Sequence, residues 1–279
     1  MIGNELISNS HFSDINGGNS VIFIENSESN LHVSYCNFEG CCRSSFYTYK
    51  EQNFCGTCIL HNGNSISCNS ISCCYCKSDY MSLLFSVNQN QTGNSHIYNE
   101  LSFSACISQK YLIVTDIFPA YFTNLNSSQA KISDLTIFHS GWGSSGGNST
   151  YWTLNNNTCF SLLGHANDKI NYDHLSLISN TNEYLISFYG VDESYIISNS
   201  VIVGNKMEKY REGSLTLDSC IYDENDDLII NPNCISTNNF NTKIKNTCII
   251  FYKNVCSNIV FHSRFKSSFI MIFLVFVLM

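Results

Sequence analysis

The chain predicts an all-β fold, a parallel β-helix solenoid of about seven to nine coils. Three observations carry that expectation. A short phrase of apolar residues interleaved with small polar ones returns about every thirty residues. Each copy alternates apolar and polar with period two, the signature of a strand. No segment of the 279 residues sustains the 3.6-residue period of a helix. Val33-Ser34-Tyr35-Cys36-Asn37-Phe38 is one copy, and Ile66-Ser67-Cys68-Asn69-Ser70-Ile71 is the next. Ile132-Ser133-Asp134-Leu135-Thr136-Ile137 and Leu215-Thr216-Leu217-Asp218-Ser219-Cys220 are later ones.

Taking the last apolar residue of each phrase as its inward anchor places coils at Phe12, Phe38, Ile71, Phe103, Ile137, Leu177, Val201 and Cys220. Apolar runs between anchors supply a second strand per coil: Val21-Ile22-Phe23-Ile24, Leu83-Leu84-Phe85 and Leu185-Ile186-Ser187-Phe188. Stretches rich in Gly, Ser and Asn, at 141–148 and 155–157, read as extruded loops. Residues 205–212 are the best candidate for a single helical turn. The repeats span 1–243; residues 244–268 form a last coil, cap or stalk; residues 269–279 are a hydrophobic tail. At about 4.8 Å per coil, eight coils make a rod of roughly 40 Å.

Composition fits an uncharged polar surface. Charged residues are 13% of the chain and Pro occurs twice, whereas there are 36 Asn and 41 Ser. Turn positions repeated in register let such side chains form hydrogen-bond ladders. The net charge is −8, and the fourteen Lys and Arg form no run that could track a phosphate backbone, which argues against nucleic acid as a partner.

The repeats resemble those of right-handed parallel β-helix proteins, in particular chlamydial polymorphic outer-membrane proteins and surface-protein families of parasitic protists. Those carry F-x-x-N and G-G-x-I elements. Here Phe12-Ser13-Asp14-Ile15-Asn16-Gly17-Gly18-Asn19-Ser20-Val21-Ile22 resembles the two joined, and Leu177-Ile178-Ser179-Asn180 is a looser match. Phe38-Glu39-Gly40-Cys41 and Phe103-Ser104-Ala105-Cys106 put Cys where that pattern has Asn. The resemblance covers residues 5 to 230. It implies a right-handed coil, display at a cell surface and adhesion.

Fifteen Cys make the chain cysteine-rich, and their odd number leaves at least one thiol unpaired within it. Cys55-Gly56-Thr57-Cys58 and Cys73-Cys74-Tyr75-Cys76 give two C-x2-C pairs, the spacing of a four-thiolate zinc site. The repeat offers a competing account. Cys74 follows Ile71 as Cys41 follows Phe38 and Cys106 follows Phe103, so an interior thiol ladder or disulfides explain the same residues. Between zinc at Cys55, Cys58, Cys73 and Cys76 and thiol pairing, the spacing does not choose. No catalytic, cofactor or metal site is therefore assigned.

Other motifs are weaker. Gly143-Ser144-Ser145-Gly146-Gly147 satisfies G-x-S-x-G but lacks a following helix. Asp218, Asp223, Glu224, Asp226 and Asp227 are the one concentration of carboxylates, with Lys206, Lys209 and Arg211 as the nearest bases. A β-helix lyase or hydrolase would collect such groups from neighbouring coils rather than from one turn. The eight His form no ligand-spaced pair. Sequons at Asn90, Asn126, Asn148 and Asn156 fall in expected loops.

The termini differ. Met1-Ile2-Gly3-Asn4-Glu5-Leu6-Ile7 has no signal-peptide character and reads like the middle of a coil, so the N-terminus reads as incomplete. Phe269 to Met279 is unbroken apolar. Eleven residues span roughly 17 Å as a helix against about 30 Å of hydrocarbon, so a transmembrane anchor must extend back past Lys266, Arg264 and His262. The expected function is non-enzymatic adhesion or recognition of glycans or partner proteins from the cell surface, with the membrane reached through the tail. The alternative is a carbohydrate-active β-helix enzyme, a polysaccharide lyase or glycoside hydrolase.

Overall fold

The computed structural model describes residues 4–44, 47–49, 52–54, 56–79, 82–87, 96–115, 120–134, 136–140, 147–165, 170–188, 194–207, 209–211, 214–223, 229–230 and 233–236. These form a parallel β-solenoid with no helix among them. In the 16-stranded first sheet, successive rungs begin at Asn4, Asn30, Ser65, His96, Ala120, Gly147, Ile170, Ser194, Ser214 and Ile229. A 13-stranded second sheet runs through Ile22–Glu25, Gly56–Asn62, Ser82–Val87, Tyr111–Thr115, Thr136–Ser140, Thr158–His165, Thr181–Phe188 and Lys209–Arg211. The apolar runs expected to be second strands are those strands. One antiparallel hairpin, Tyr47–Tyr49 with Gln52–Phe54, stands apart.

Each coil turns on single residues. Asn9, Tyr35, Ser70, Glu100, Asn124, Tyr151, His174, Asn199 and Ser219 all have φ between +48° and +61°, and each follows residues paired in one register. A second corner, five residues on, is left-handed at Asp14, Gly40, Tyr75, Ala105, Gln129, Asn156, Ser179 and Gly204. A left-handed residue reverses which face the next side chain takes, so the alternation breaks there and two residues flanking the corner both point inward. Only two of these corners are Gly, although a side chain in this conformation costs about 1 kcal/mol or more. Asn155-Asn156-Asn157 was expected to be an extruded loop; it is a strand end, a corner and a buried residue. Asn tolerates the left-handed region, so the run bends the chain without leaving the coil.

The inward side chains stack in columns. Phe12, Phe38, Cys73, Phe103, Ser127, Leu154, Leu177, Ile202 and Tyr222 lie over one another in register. Phe12 and Phe38 stack with ring centroids 5.0 Å apart. Phe38, Leu154, Leu177 and Ile202 are 0% exposed, and burying such a side chain stabilises by about 1.5–3 kcal/mol. In the column before the first corner, Tyr98 stacks on Phe122 at 4.5 Å. Ser149 is small at the next level, and Trp152, across the corner, fills the gap between Phe122 and Tyr172 with edge-on contacts at 5.8 and 5.6 Å.

This register corrects several anchors. Ile71 lies over Cys36 and under Leu101, two residues away from the Phe38 column, whose place Cys73 takes. Ile137 belongs to the second sheet, and Ile202, not Val201, is the inward anchor. Cys74 pairs with Glu39 and Ser104 on the outward side, and Cys76 is the residue level with Cys41 and Cys106. Counting from an apolar residue sees neither which column or sheet that residue joins nor the face reversal at a corner such as Tyr75, which puts Cys76 rather than Cys74 inside. Within 205–212, Lys206 bridges to Thr181 and Lys209–Arg211 is a strand, so the described residues there form no helical turn. Residues 244–279, including the apolar tail, lie outside the described residues, and no described helix is long and apolar enough to cross a membrane.

Candidate functional site

Exposed apolar side chains concentrate in one outward column of the first sheet. Leu6, His32, Ser67, Ile97, Tyr121, Asn148, Asn171, Ile196 and Thr216 are mutual register partners, one per rung. Four of the ten exposed large hydrophobics among the described residues, Leu6 (69%), Ile97 (45%), Tyr121 (41%) and Ile196 (46%), stand in it. At its N-terminal end a groove of about 390 Å³ is lined by Leu6, His32, Ser67 and Ile97 with Asn4, Asn30 and Ser65. The groove floor is tied by amides: Asn30 Nδ2 donates to Asn4 Oδ1 at 3.1 Å, and Asn64 Nδ2 to Asn30 Oδ1 at 2.9 Å.

Beside this column runs a polar one. Asn99 Nδ2 donates to Asn69 Oδ1 at 2.7 Å, Asn124 Nδ2 to Asn99 Oδ1 at 3.3 Å, and the Ser70 hydroxyl to Glu100 at 2.5 Å. Farther along, Asp173 is the centre of a cluster drawn from three coils. His174 Nδ1 lies 2.6 Å from Asp173 Oδ2, while Ser198 Oγ and Asn199 Nδ2 both donate to Oδ1 at 2.8 Å. Tyr151, one coil before, packs on the His174 ring at 4.9 Å. Partial burial works against the charge of Asp173, but the bonds from Asn199, Ser198 and His174 outweigh it and hold its carboxyl below the usual range. Chemically, the strip offers Ile97 and Tyr121 on adjacent rungs, with Leu6 and Ile196 each three rungs away, interleaved and flanked by amide, hydroxyl and imidazole groups.

The residues singled out from the sequence are dispersed. Asp218 accepts from Ser219 Oγ, and Asp223 Oδ2 accepts from Gly204 N at 2.6 Å; Glu224, Asp226 and Asp227 lie outside the described residues. So does the G-x-S-x-G run except Gly147, and so do Asn90 and Cys55. The other three sequons are not in loops: Asn126 and Asn148 are in strands and Asn156 is a corner. Among the described residues no three His, Cys, Asp or Glu side chains are arranged to hold a metal ion. Cys58 and Cys73 touch, Sγ to Sγ 3.7 Å, while Cys76 Sγ donates to the carbonyls of Phe38 and Cys74.

Two buried histidines escaped sequence reasoning, having no spacing signal. His61 Nε2 lies 3.3 Å from Ser29 Oγ, and His96 Nδ1 lies 3.1 Å from Ser86 Oγ, with the rings 6.4 Å apart. Burial lowers His61 to about 4, a bond with the Ser29 backbone opposing it. Burial, with His61 nearby, lowers His96 to about 3.

The chain matches no protein-family model, no curated protein and no solved structure.

Proposed function

We propose that this chain is a non-enzymatic recognition protein, a stiff solenoid that binds an extended glycan or polypeptide along the Leu6–Thr216 column. The observation that carries the proposal is the alignment of Leu6, Ile97, Tyr121 and Ile196 in that single outward column, rimmed by hydrogen-bonding side chains. Exposed apolar side chains aligned among polar ones are the character of an interaction site, and Ile97 with Tyr121 forms its continuous apolar centre. Display at the cell surface, with residues 269–279 in the membrane, belongs to the same reading. The resemblance of the F-x-x-N phrases to surface-protein families supports it.

Binding of the purified chain to an array of glycans and to intact cells tests the first half. Tyr121→Ala with Ile97→Ser is expected to lower binding at least tenfold while the β-sheet circular dichroism is unchanged, about 1.4 kcal/mol or more of interaction. Unchanged binding rejects the face. Protease treatment of tagged protein in intact cells tests the second half, since protection that persists until detergent is added rejects surface display.

The Asp173–His174 pair, with Tyr151 and Asn199 from neighbouring coils, favours a second reading, a carbohydrate-active enzyme. Depolymerisation of an acidic polysaccharide that disappears in His174→Ala would establish it over the first.

A further inference from the structure

We propose that Cys58 and Cys73 form a disulfide that staples the two sheets together when the chain folds in an oxidising compartment. Cys58 belongs to Gly56–Asn62 of the second sheet and Cys73 to Ser65–Cys74 of the first. Both are 0% exposed, and their sulfurs are in contact at 3.7 Å.

Three other interior thiols of this region each donate to backbone carbonyls. Cys41 Sγ donates to the Phe12 and Glu39 carbonyls, Cys76 to Phe38 and Cys74, and Cys106 to Cys73 and Ser104. Cys76 also stands against the thiols of Cys58, Cys73 and Cys106, but it donates to backbone carbonyls, whereas Cys73 Sγ is directed at Cys58 Sγ. A disulfide closes at about 2.05 Å, so the sulfurs must approach by less than 2 Å, within the reach of side-chain torsions.

The chemistry is exchange with a small-molecule disulfide such as oxidised glutathione. One protein thiolate attacks that disulfide, its S–S bond breaks, and one small thiol leaves. The second protein thiolate then attacks the mixed disulfide at the protein sulfur and expels the other. Two protein thiols become one disulfide, one small disulfide becomes two thiols, and the protons follow the leaving sulfurs. Burial pushes both thiols well above the ordinary range in the folded state, so exchange belongs to the folding chain, before the sheets close over the sulfurs.

The test uses the full chain. Reduced, denatured protein is refolded in a mixture of reduced and oxidised glutathione, its remaining thiols are alkylated in denaturant, and its peptides are mapped by mass spectrometry without reduction. The expected map contains a peptide pair joined through Cys58 and Cys73, with Cys41, Cys76 and Cys106 alkylated. Cys58→Ser and Cys73→Ala should each lose the linked pair. If a variant does not fold, the wild-type map alone decides. Full alkylation of Cys58 and Cys73 in protein with native circular dichroism overturns the proposal, and so does a link from either residue to Cys55, Cys76 or Cys106.

Discussion

Cys41, Cys76 and Cys106 occupy, in the first coils, the place that Asn157, Asn180 and Asn205 occupy in the later ones. Each of these six follows the second corner, and each side chain donates to the carbonyl of the anchor one rung earlier. The thiols reach Phe12, Phe38 and Cys73; the amides reach Ser127, Leu154 and Leu177 at 3.1, 2.9 and 2.8 Å. The corner bends that carbonyl out of the ladder, and a side-chain donor supplies the missing bond. What differs is the acceptor. Asn180 Oδ1 also accepts from Asn157 N and Nδ2, and Asn205 Oδ1 from Asn180 N and Nδ2, all at 2.9–3.0 Å. An amide carries both halves of a peptide group, so it continues the backbone ladder in both directions. A thiol donates weakly and accepts weakly. Early coils therefore lean more on packing, and later ones on hydrogen bonds. Ala130 stands between the halves with no side-chain donor, and its N–H is accepted by Asn157 Oδ1 at 3.0 Å.

The largest effect should ignore the comparison. Phe38→Asp and Leu177→Asp each bury a carboxylate in the apolar column common to both halves, at a cost of about 4 kcal/mol or more. Failure of either to unfold more easily in urea would mean that the stacking register is wrong.

Acid should then separate the halves, because the two histidines buried among the described residues lie in the early one. Their folded values are below the ordinary 6.5, at about 4 for His61 and about 3 for His96. Both are neutral in either state above about pH 6.5, so their contribution is constant there. As pH falls below 6.5 the unfolded chain takes protons that the folded chain refuses, and stability drops. The loss is roughly 2–3 kcal/mol per histidine by about pH 4.5. Hydrogen exchange should show the coils around His61 and His96 opening first, and His96→Leu should flatten the pH dependence. An unchanged slope in that variant would assign the acid response to other groups.

Within the ladder column, Asn180→Ala should cost about 3 kcal/mol, since it removes donors to Leu154 and Asn205 and the acceptor of Asn157. Cys106→Ala should cost about 1–2 kcal/mol, mostly packing. Equal losses for the two in chemical denaturation would break the distinction between halves. Smallest of all, Ala130→Asn should raise stability by up to about 1 kcal/mol by extending the amide column one rung. A loss instead would show that space, not hydrogen bonding, sets that position.

Much of this was legible in the residues. Period-two phrases returning along the chain specify parallel stacking, because only a coil that closes on itself lets every copy bury its apolar face. The substitution of Cys for Asn in Phe38-Glu39-Gly40-Cys41 and Phe103-Ser104-Ala105-Cys106 was visible too, and the column bears it out: Cys41 and Cys106 are level with Asn180. What could not be read was the register at each corner. A left-handed residue is marked by no single amino acid here, being Tyr, Ser, Glu, Asn, His, Ala or Gln as readily as Gly. Ile71 and Cys73 both point inward, and only the stacking of coils puts Cys73 in the Phe38 column; the left-handed Tyr75 then makes Cys76 rather than Cys74 the ladder thiol. The apolar column on the outer face, the His61–His96 pair and the Cys58–Cys73 contact join residues from different coils or different sheets. Only the stacking of coils, which sets which residues face each other across a turn of unpredictable length, decided them.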